Sequence, residues 1–267
     1  MEYLKFIIYG FIQGFTEFIP VSSTAHLKVI SLLLGIQDPG YSLSAIIQLG
    51  SVFAIIWYFR NEILGFNSQV KKKNLIHIFF EKKLLRSIFI GTIPIIFLGG
   101  IIKIFMSNSF NTIFRSNYSI AIISLLMAIY MYFADISKNR FINIRNHSYL
   151  DSFLIGLSQS LAILPGISRS GVTISTALIN GWHRKDAAKF SFLLGVPAIS
   201  LAALVEFFFS IDQFYKVSFF PLILGLFTTF FTSLLAIDFL IKHLSHRGMK
   251  LFIFYRLIFG LFILVNT

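Results

Sequence analysis

Apolar residues run along this chain in stretches too long for the core of a soluble domain. Six of them, about residues 42–59, 87–105, 116–134, 190–210, 218–241 and 251–266, are each long enough to cross a hydrocarbon layer as a helix. Two further segments, residues 3–36 and 152–181, are apolar but broken midway by a proline, Pro20 and Pro165, set among polar residues. Proline cannot continue a helix, yet it suits the first turn of a new one, so each segment predicts two helical arms meeting at a break. Such arms are too short to span unaided, and irregular backbone at membrane depth is tolerated only where protein buries it or water reaches it. The pattern therefore predicts an all-α polytopic membrane protein with six transmembrane crossings plus two re-entrant helical hairpins whose tips line a cavity.

The second broken segment repeats the first. Pro165-Gly166-Ile167-Ser168-Arg169-Ser170-Gly171 stands where Pro20-Val21-Ser22-Ser23-Thr24-Ala25-His26 stands, and each is preceded by a Gly-x-x-Gln step, Gly10 to Gln13 and Gly156 to Gln159. Gly50 and Gly195, each after a leucine, fall thirty residues beyond the two prolines. Weak internal similarity of this kind, with broken helices at matching places, signals an inverted-topology repeat. The expectation is one integral membrane domain, residues 1–267, in halves of roughly 1–134 and 135–267, with the two tips meeting near the midplane.

Composition agrees: 56% of residues are hydrophobic and 13% charged, with a mean hydropathy of +0.80, against about 25% charged in a soluble domain. The formal charge of +12 raises nucleic acid as a partner until the cations are located. Seven of the 23 Lys and Arg fall in residues 60–86 and three each in 135–150, 182–189 and 242–250, together sixteen. A path of six crossings and two hairpins puts all four segments on the cytoplasmic side, where Lys and Arg concentrate. The charge thus reports topology, nucleic acid is rejected as a partner, and both termini are expected outside the cytoplasm. The first hairpin then enters from outside and the second from the cytoplasm. The N-terminus lacks the basic, apolar and small-residue order of a cleavable signal, so Met1 onward is expected to be retained. With no cysteine there is neither a disulfide nor a thiolate metal site.

The candidate chemistry lies at the two breaks. Burying an ionisable group in hydrocarbon is costly unless it is paired or wetted, which makes Glu17 and His26 functional candidates. A helix starting near Ser22 or Ser23 points free N–H groups and its positive end into the break, where an anion such as phosphate would bind, and the hydroxyls of Ser22, Ser23 and Thr24 add donors. His26, three residues after Ser23 and four after Ser22, shares their helical face and could take a hydroxyl proton; Gln13 and Glu17 likewise share a face. In the second tip Arg169 is an always-charged fork suited to gripping phosphate, and Ser168, Ser170 and Thr173 could serve the same ligand. The competing reading is structural: an Arg169–Glu17 ion pair between the tips, with hydroxyls stitching helices together. Glu206 and Arg256 stand in crossing segments and receive no role.

Gln-x-x-x-Glu-Phe-x-Pro-Val-Ser-Ser-Thr-x-His, followed by Pro-Gly-x-Ser-Arg-Ser-Gly-x-Thr, resembles the undecaprenyl-pyrophosphate phosphatase family, also called the bacitracin-resistance protein, over the whole chain. The resemblance implies removal of the terminal phosphate of undecaprenyl diphosphate, a polyprenyl lipid in the bacterial cytoplasmic (inner) membrane, recycling the carrier for peptidoglycan and other envelope polymers. It also implies dependence on a divalent metal, magnesium or calcium. Carried over residue by residue, the family's acidic motif falls on Gln13 and Glu17, its nucleophile candidates on Ser23 and His26, and its phosphate-binding arginine on Arg169. Many members have a second glutamate where this chain has Gln13, which leaves Glu17 as the metal carboxylate. The expected mechanism has Ser23, deprotonated by His26, attacking the terminal phosphorus; attack by His26 itself or by activated water stays open. A lipid-carrier or small-anion transporter is the alternative of a different class, because broken helices in an inverted repeat are also transporter architecture.

Overall fold

A computed structural model of the chain describes residues 2–36, 38, 40–63, 75–106, 113–137, 140–209 and 218–266. Among them every element is helical apart from one isolated bridge between Ile142 and Trp182. Helices α1 (Glu2–Phe18) and α2 (Ser23–Leu33) are the arms around Pro20. They are followed by α3 (Gly40–Ile47), α4 (Leu49–Tyr58), α5 (Leu75–Ile101) with a π-helical turn over Ile102–Met106, and α6 (Asn117–Ile136). The arms around Pro165 are α7 (Tyr149–Ser160), which runs into a 3₁₀ turn over Leu161–Ile163, and α8 (Arg169–Ile179). The chain ends with α9 (Arg184–Phe209), α10 (Phe219–Arg247) and α11 (Lys250–Val265).

Among the described residues four helical stretches are long and apolar enough to cross a membrane: Lys82–Phe105, Asn117–Ile136, Arg184–Phe209 and Phe219–Arg247. They coincide with four of the six expected crossings, and the chain is a multi-pass helical membrane protein. The other two expected crossings are shorter elements. Residues 42–59 form α3 and α4 rather than one regular helix. Gln48 keeps helical dihedrals and bonds the Ser44 carbonyl, but the Ser51 N–H reaches back only three residues, to Gln48, tightening the turn. Of residues 251–266 all but Asn266, its C-cap, fall in α11, whose 16 residues rise about 24 Å at 1.5 Å each. Part of the most basic expected loop, residues 64–74, lies outside the described residues.

The glycines of the two Gly-x-x-Gln steps decide how the arms pack. A Cβ on Gly10 would lie 2.4 Å from the Gly225 carbonyl oxygen, and one on Gly156 would lie 2.0 Å from the Gly91 carbonyl oxygen. Thus α1 lies backbone to backbone on α10, and α7 does the same on α5, the close approach that small residues permit between membrane helices. Helix α6 packs along α11, while α8 is enclosed by α6, α7 and α9. Phe18, at the end of α1, meets Phe192 of α9 edge to face at 5.0 Å, so the apolar core closes directly beneath the two breaks. The N-terminus of α7 is held by a capping box: Ser148 Oγ accepts from the Asp151 N–H and the Asp151 carboxylate accepts from the Ser148 N–H.

Candidate active site

The two breaks have matching sequences but different backbones. At the first, Ser22 is the N-cap of α2, with φ 76° and ψ 100°, and its side chain makes no capping bond. It is the one non-glycine residue with positive φ among those described. Such a conformation costs about 1–3 kcal/mol and persists only where surroundings enforce it. At the second break the left-handed position is a glycine, Gly166, with φ 98°. Ser168 then caps α8 in the ordinary extended conformation, its Oγ accepting from the Gly171 N–H at 3.1 Å.

Glu17, in the last turn of α1, faces Arg169, the first residue of α8. Arg169 Nη2 and Nε donate to Glu17 Oε1 at 3.0 and 3.3 Å. The other carboxylate oxygen, Oε2, accepts from Gln13 Nε2 at 2.8 Å and from the Ser23 hydroxyl at 3.1 Å. Gln13, four residues before Glu17, thus reaches it along one helix face, while Ser23 reaches it across the Pro20 break. Glu17 is 4% exposed; removing its partner would leave a buried charge, a loss of about 3–5 kcal/mol. Arg169 Nη1 donates to the Ser191 carbonyl at 3.1 Å. The guanidinium can lie against α9 because residue 195 is glycine: a Cβ there would sit 2.2 Å from Nη1. The ion pair weighed as the structural reading is therefore present. It takes two of the five guanidinium N–H groups and the Ser191 carbonyl takes a third, which leaves one N–H on each of Nη1 and Nη2 for an anion.

The remaining candidates fall around this pair. Ser170 Oγ donates to the Glu17 carbonyl at 3.4 Å and lies 3.1 Å from Ser168 Oγ. Thr173 Oγ1 donates to the Arg169 carbonyl at 2.8 Å and meets Ser191 Oγ at 2.6 Å, so it braces Arg169 from within the protein. Thr24 is half-buried in the first turn of α2. His26 departs from expectation. Its Nδ1 lies 2.7 Å from the Ser22 carbonyl and its Nε2 2.6 Å from Tyr255 Oη, with the ring stacked on Phe259 at 4.2 Å. The expected Ser23–His26 hydrogen bond is not among these contacts, because the carbonyl one turn back and the tyrosine hydroxyl take both ring nitrogens, while the Ser23 hydroxyl goes to Glu17.

Four residues of the site were not singled out for it: Ser191, Gly195, Tyr255 and Arg256. Arg256 is fully buried and donates to the Gly166 carbonyl at 2.7 Å and to those of Pro20 and Ser124 at 3.4 Å, so it ties the two breaks together. Its signal was a cation inside an apolar run. The signal for Gly195 was its place in the repeat, and Tyr255 carried none among ten tyrosines. Glu206 is paired away from the site, with Lys103 at 2.6 Å.

Among the described residues no three His, Asp or Glu side chains are grouped to hold a metal. Glu17, with the Gln13 amide beside it, is the carboxylate of the cluster. Both Glu17 oxygens accept hydrogen bonds and Gln13 turns its amide nitrogen to Glu17, so a hard cation on this carboxylate would replace some of these contacts and draw its remaining oxygens from a phosphate and water, as is usual for magnesium.

Residues 6–262 match the family described as bacitracin resistance protein BacA. The chain is 63% identical over 266 residues to a protein of Prochlorococcus marinus strain MIT 9215 named undecaprenyl-diphosphatase, and 66% identical over 266 residues to one of the same name from strain MIT 9301, with 100% of both chains covered in each case. A more distant relative of that name, from strain NATL2A, is 45% identical over 268 residues, covering 98% of this chain and 95% of its own. A match that takes in both breaks and all but the ends of the sequence leaves one assignment: the chain belongs to the bacitracin resistance protein BacA family.

Proposed function

We propose that this chain hydrolyses undecaprenyl diphosphate to undecaprenyl phosphate and inorganic phosphate, recycling the lipid carrier for peptidoglycan and other envelope polymers and conferring bacitracin resistance. The observation that carries the reading is the contact set at the junction of the breaks, in which Glu17 holds Arg169 through one oxygen and the Ser23 hydroxyl through the other. The names of the full-length relatives support it.

In this reading the terminal phosphate binds the Arg169 guanidinium through the second N–H groups of Nη1 and Nη2, with N–H groups at the start of α2 as further donors. Ser23 Oγ attacks the terminal phosphorus, and its proton passes to Glu17 Oε2, the acceptor it already faces. The bond from that phosphorus to the bridging oxygen breaks, and undecaprenyl phosphate leaves without needing a proton, as expected for a stable phosphate leaving group. Water then attacks the phosphoserine phosphorus, the bond to Ser23 Oγ breaks as Glu17 returns the proton to that oxygen, and phosphate leaves carrying the hydrogens of the water. Gln13 orients Glu17, and Ser168, Ser170 and Thr173 hold Arg169 and the second tip. A magnesium or calcium ion held by Glu17 and Gln13 would neutralise charge on the diphosphate oxygens.

The same reading places the protein in the cytoplasmic membrane with six crossings, two re-entrant hairpins and both termini outside. Two features support an inverted repeat: the pairing of α1 with α10 and of α7 with α5 through the equivalent glycines Gly10 and Gly156. The test is release of phosphate from undecaprenyl diphosphate in detergent, where no two sides exist, by the parent protein and by Ser23→Ala. We expect turnover by the parent, and loss of at least about a thousandfold in kcat with lipid binding retained in the variant. No release by the parent would leave the transporter alternative, and near-normal turnover by Ser23→Ala would remove the serine from its role.

A further inference from the structure

Ser23 stands directly after the strained residue of the first break, and something must hold Ser22 in its left-handed conformation. The Ser22 side chain makes no capping bond. Its carbonyl, however, accepts twice from His26, from the backbone N–H at 3.2 Å and from ring Nδ1 at 2.7 Å. A carbonyl oxygen can only accept, so Nδ1 must carry the hydrogen. In the neutral ring Nε2 is then the bare nitrogen, and it faces Tyr255 Oη at 2.6 Å, a hydroxyl able to donate to it. Stacking on Phe259 at 4.2 Å with the planes 10° apart fixes the ring's orientation. The next residue of α11, the fully buried Arg256, holds the Pro20 carbonyl on the other side of Val21 and the Gly166 carbonyl of the second break.

We propose that His26 is a positioning residue and not the base for Ser23. Its Nδ1–H tautomer, with Tyr255 donating to the bare Nε2, pins the Ser22 carbonyl and so aims the Ser23 hydroxyl at Glu17, while Arg256 keeps the two breaks in register. The inference rests on the reading above, in which Ser23 attacks and Glu17 receives its proton. It gives the last helix a function: consecutive residues Tyr255 and Arg256 buttress the attacking turn from behind.

Two measurements test it. The first reads the tautomer by nitrogen NMR of histidine-labelled protein in detergent, with the His26 signals identified by their loss in His26→Asn. A protonated Nδ1 and a bare Nε2 are expected, and the opposite tautomer overturns the proposal. The second compares His26→Asn with His26→Ala. The asparagine amide nitrogen stands near the place of Nδ1 and can still donate to the Ser22 carbonyl, yet it has no basic nitrogen. His26→Asn should keep phosphate release within about tenfold of the parent and retain its pH profile, whereas His26→Ala should fall by about a hundredfold and gain nothing from added imidazole. Equal loss in both variants, or rescue of His26→Ala by imidazole, would return the base role to the ring. The NMR readout needs no turnover, so a parent protein that releases no phosphate would defeat the phosphatase reading and leave the tautomer still measurable.

Discussion

Arg169 lies where it does because nothing projects from residue 195. A methyl group there would come within 2.2 Å of Nη1 and 2.6 Å of Cζ. The obstructed atoms are the far end of a flexible side chain, so in Gly195→Ala the helix stays and the guanidinium moves. Glu17 would then lose the geometry of its partner, and an incoming phosphate would lose its fork. We expect a protein that still folds, with a lowered thermal midpoint but a loss of stability below the roughly 3–5 kcal/mol that full loss of the pair would cost, and a kcat/KM that falls at least about tenfold, equivalent to about 1.4 kcal/mol of transition-state stabilisation. Measuring both quantities on one sample separates misplacement from misfolding. An unchanged kcat/KM would mean that the orientation of Arg169 does not matter to turnover.

Helix pairs respond differently, because there the obstruction is backbone. In Gly156→Ala the new methyl would meet the Gly91 carbonyl oxygen at 2.0 Å and the Gly91 Cα at 2.5 Å. Neither atom can step aside alone, so α7 and α5 must separate. Overpacking of this kind costs about 1–3 kcal/mol, and α7 leads directly into the break that presents Arg169. Thermal unfolding in detergent should show a clearly lowered midpoint for Gly156→Ala. Gly100→Ala is the control: a Cβ there meets nothing within 4 Å, and replacing a helical glycine with alanine is favourable by about 0.5–1 kcal/mol. Equal midpoints for the two variants would contradict the backbone-to-backbone packing of α7 on α5.

The orientation of the whole molecule can be read directly because the chain has no cysteine and introduced thiols label without background. Leu34, 52% exposed near Asp38 beyond α2, is expected outside, and Arg145, exposed in one of the four basic segments, inside. In intact cells Leu34→Cys should react with an impermeant maleimide, and Arg145→Cys only after the membrane is opened. The reverse pattern would invert the topology and exchange the entry sides of the two broken segments.

Properties that are local along the chain were decided by the sequence itself. Long apolar runs dictate a membrane protein because hydrocarbon admits little else, and the breaks were legible because Pro20 and Pro165 stand among polar residues, whereas Pro94 and Pro197, in apolar runs, lie inside continuous helices. The Gly-x-x-Gln steps were visible as a repeat, although their use, close approach of α1 to α10 and of α7 to α5, was not. The meeting of Glu17 with Arg169 was foreseeable in kind, since two lone buried charges of opposite sign must find partners. Helical spacing placed His26 on the face of Ser22 and Ser23, but spacing gives a direction around an axis and not what lies opposite. Only the packing of α11 brought Tyr255 to the imidazole across 229 residues and Arg256 to the Pro20 carbonyl across 236. Hydrogen bonds act over about 3 Å, so a small rotation of the first turn of α2 decides whether the Ser23 hydroxyl meets an imidazole or a carboxylate, and tertiary contacts set that rotation.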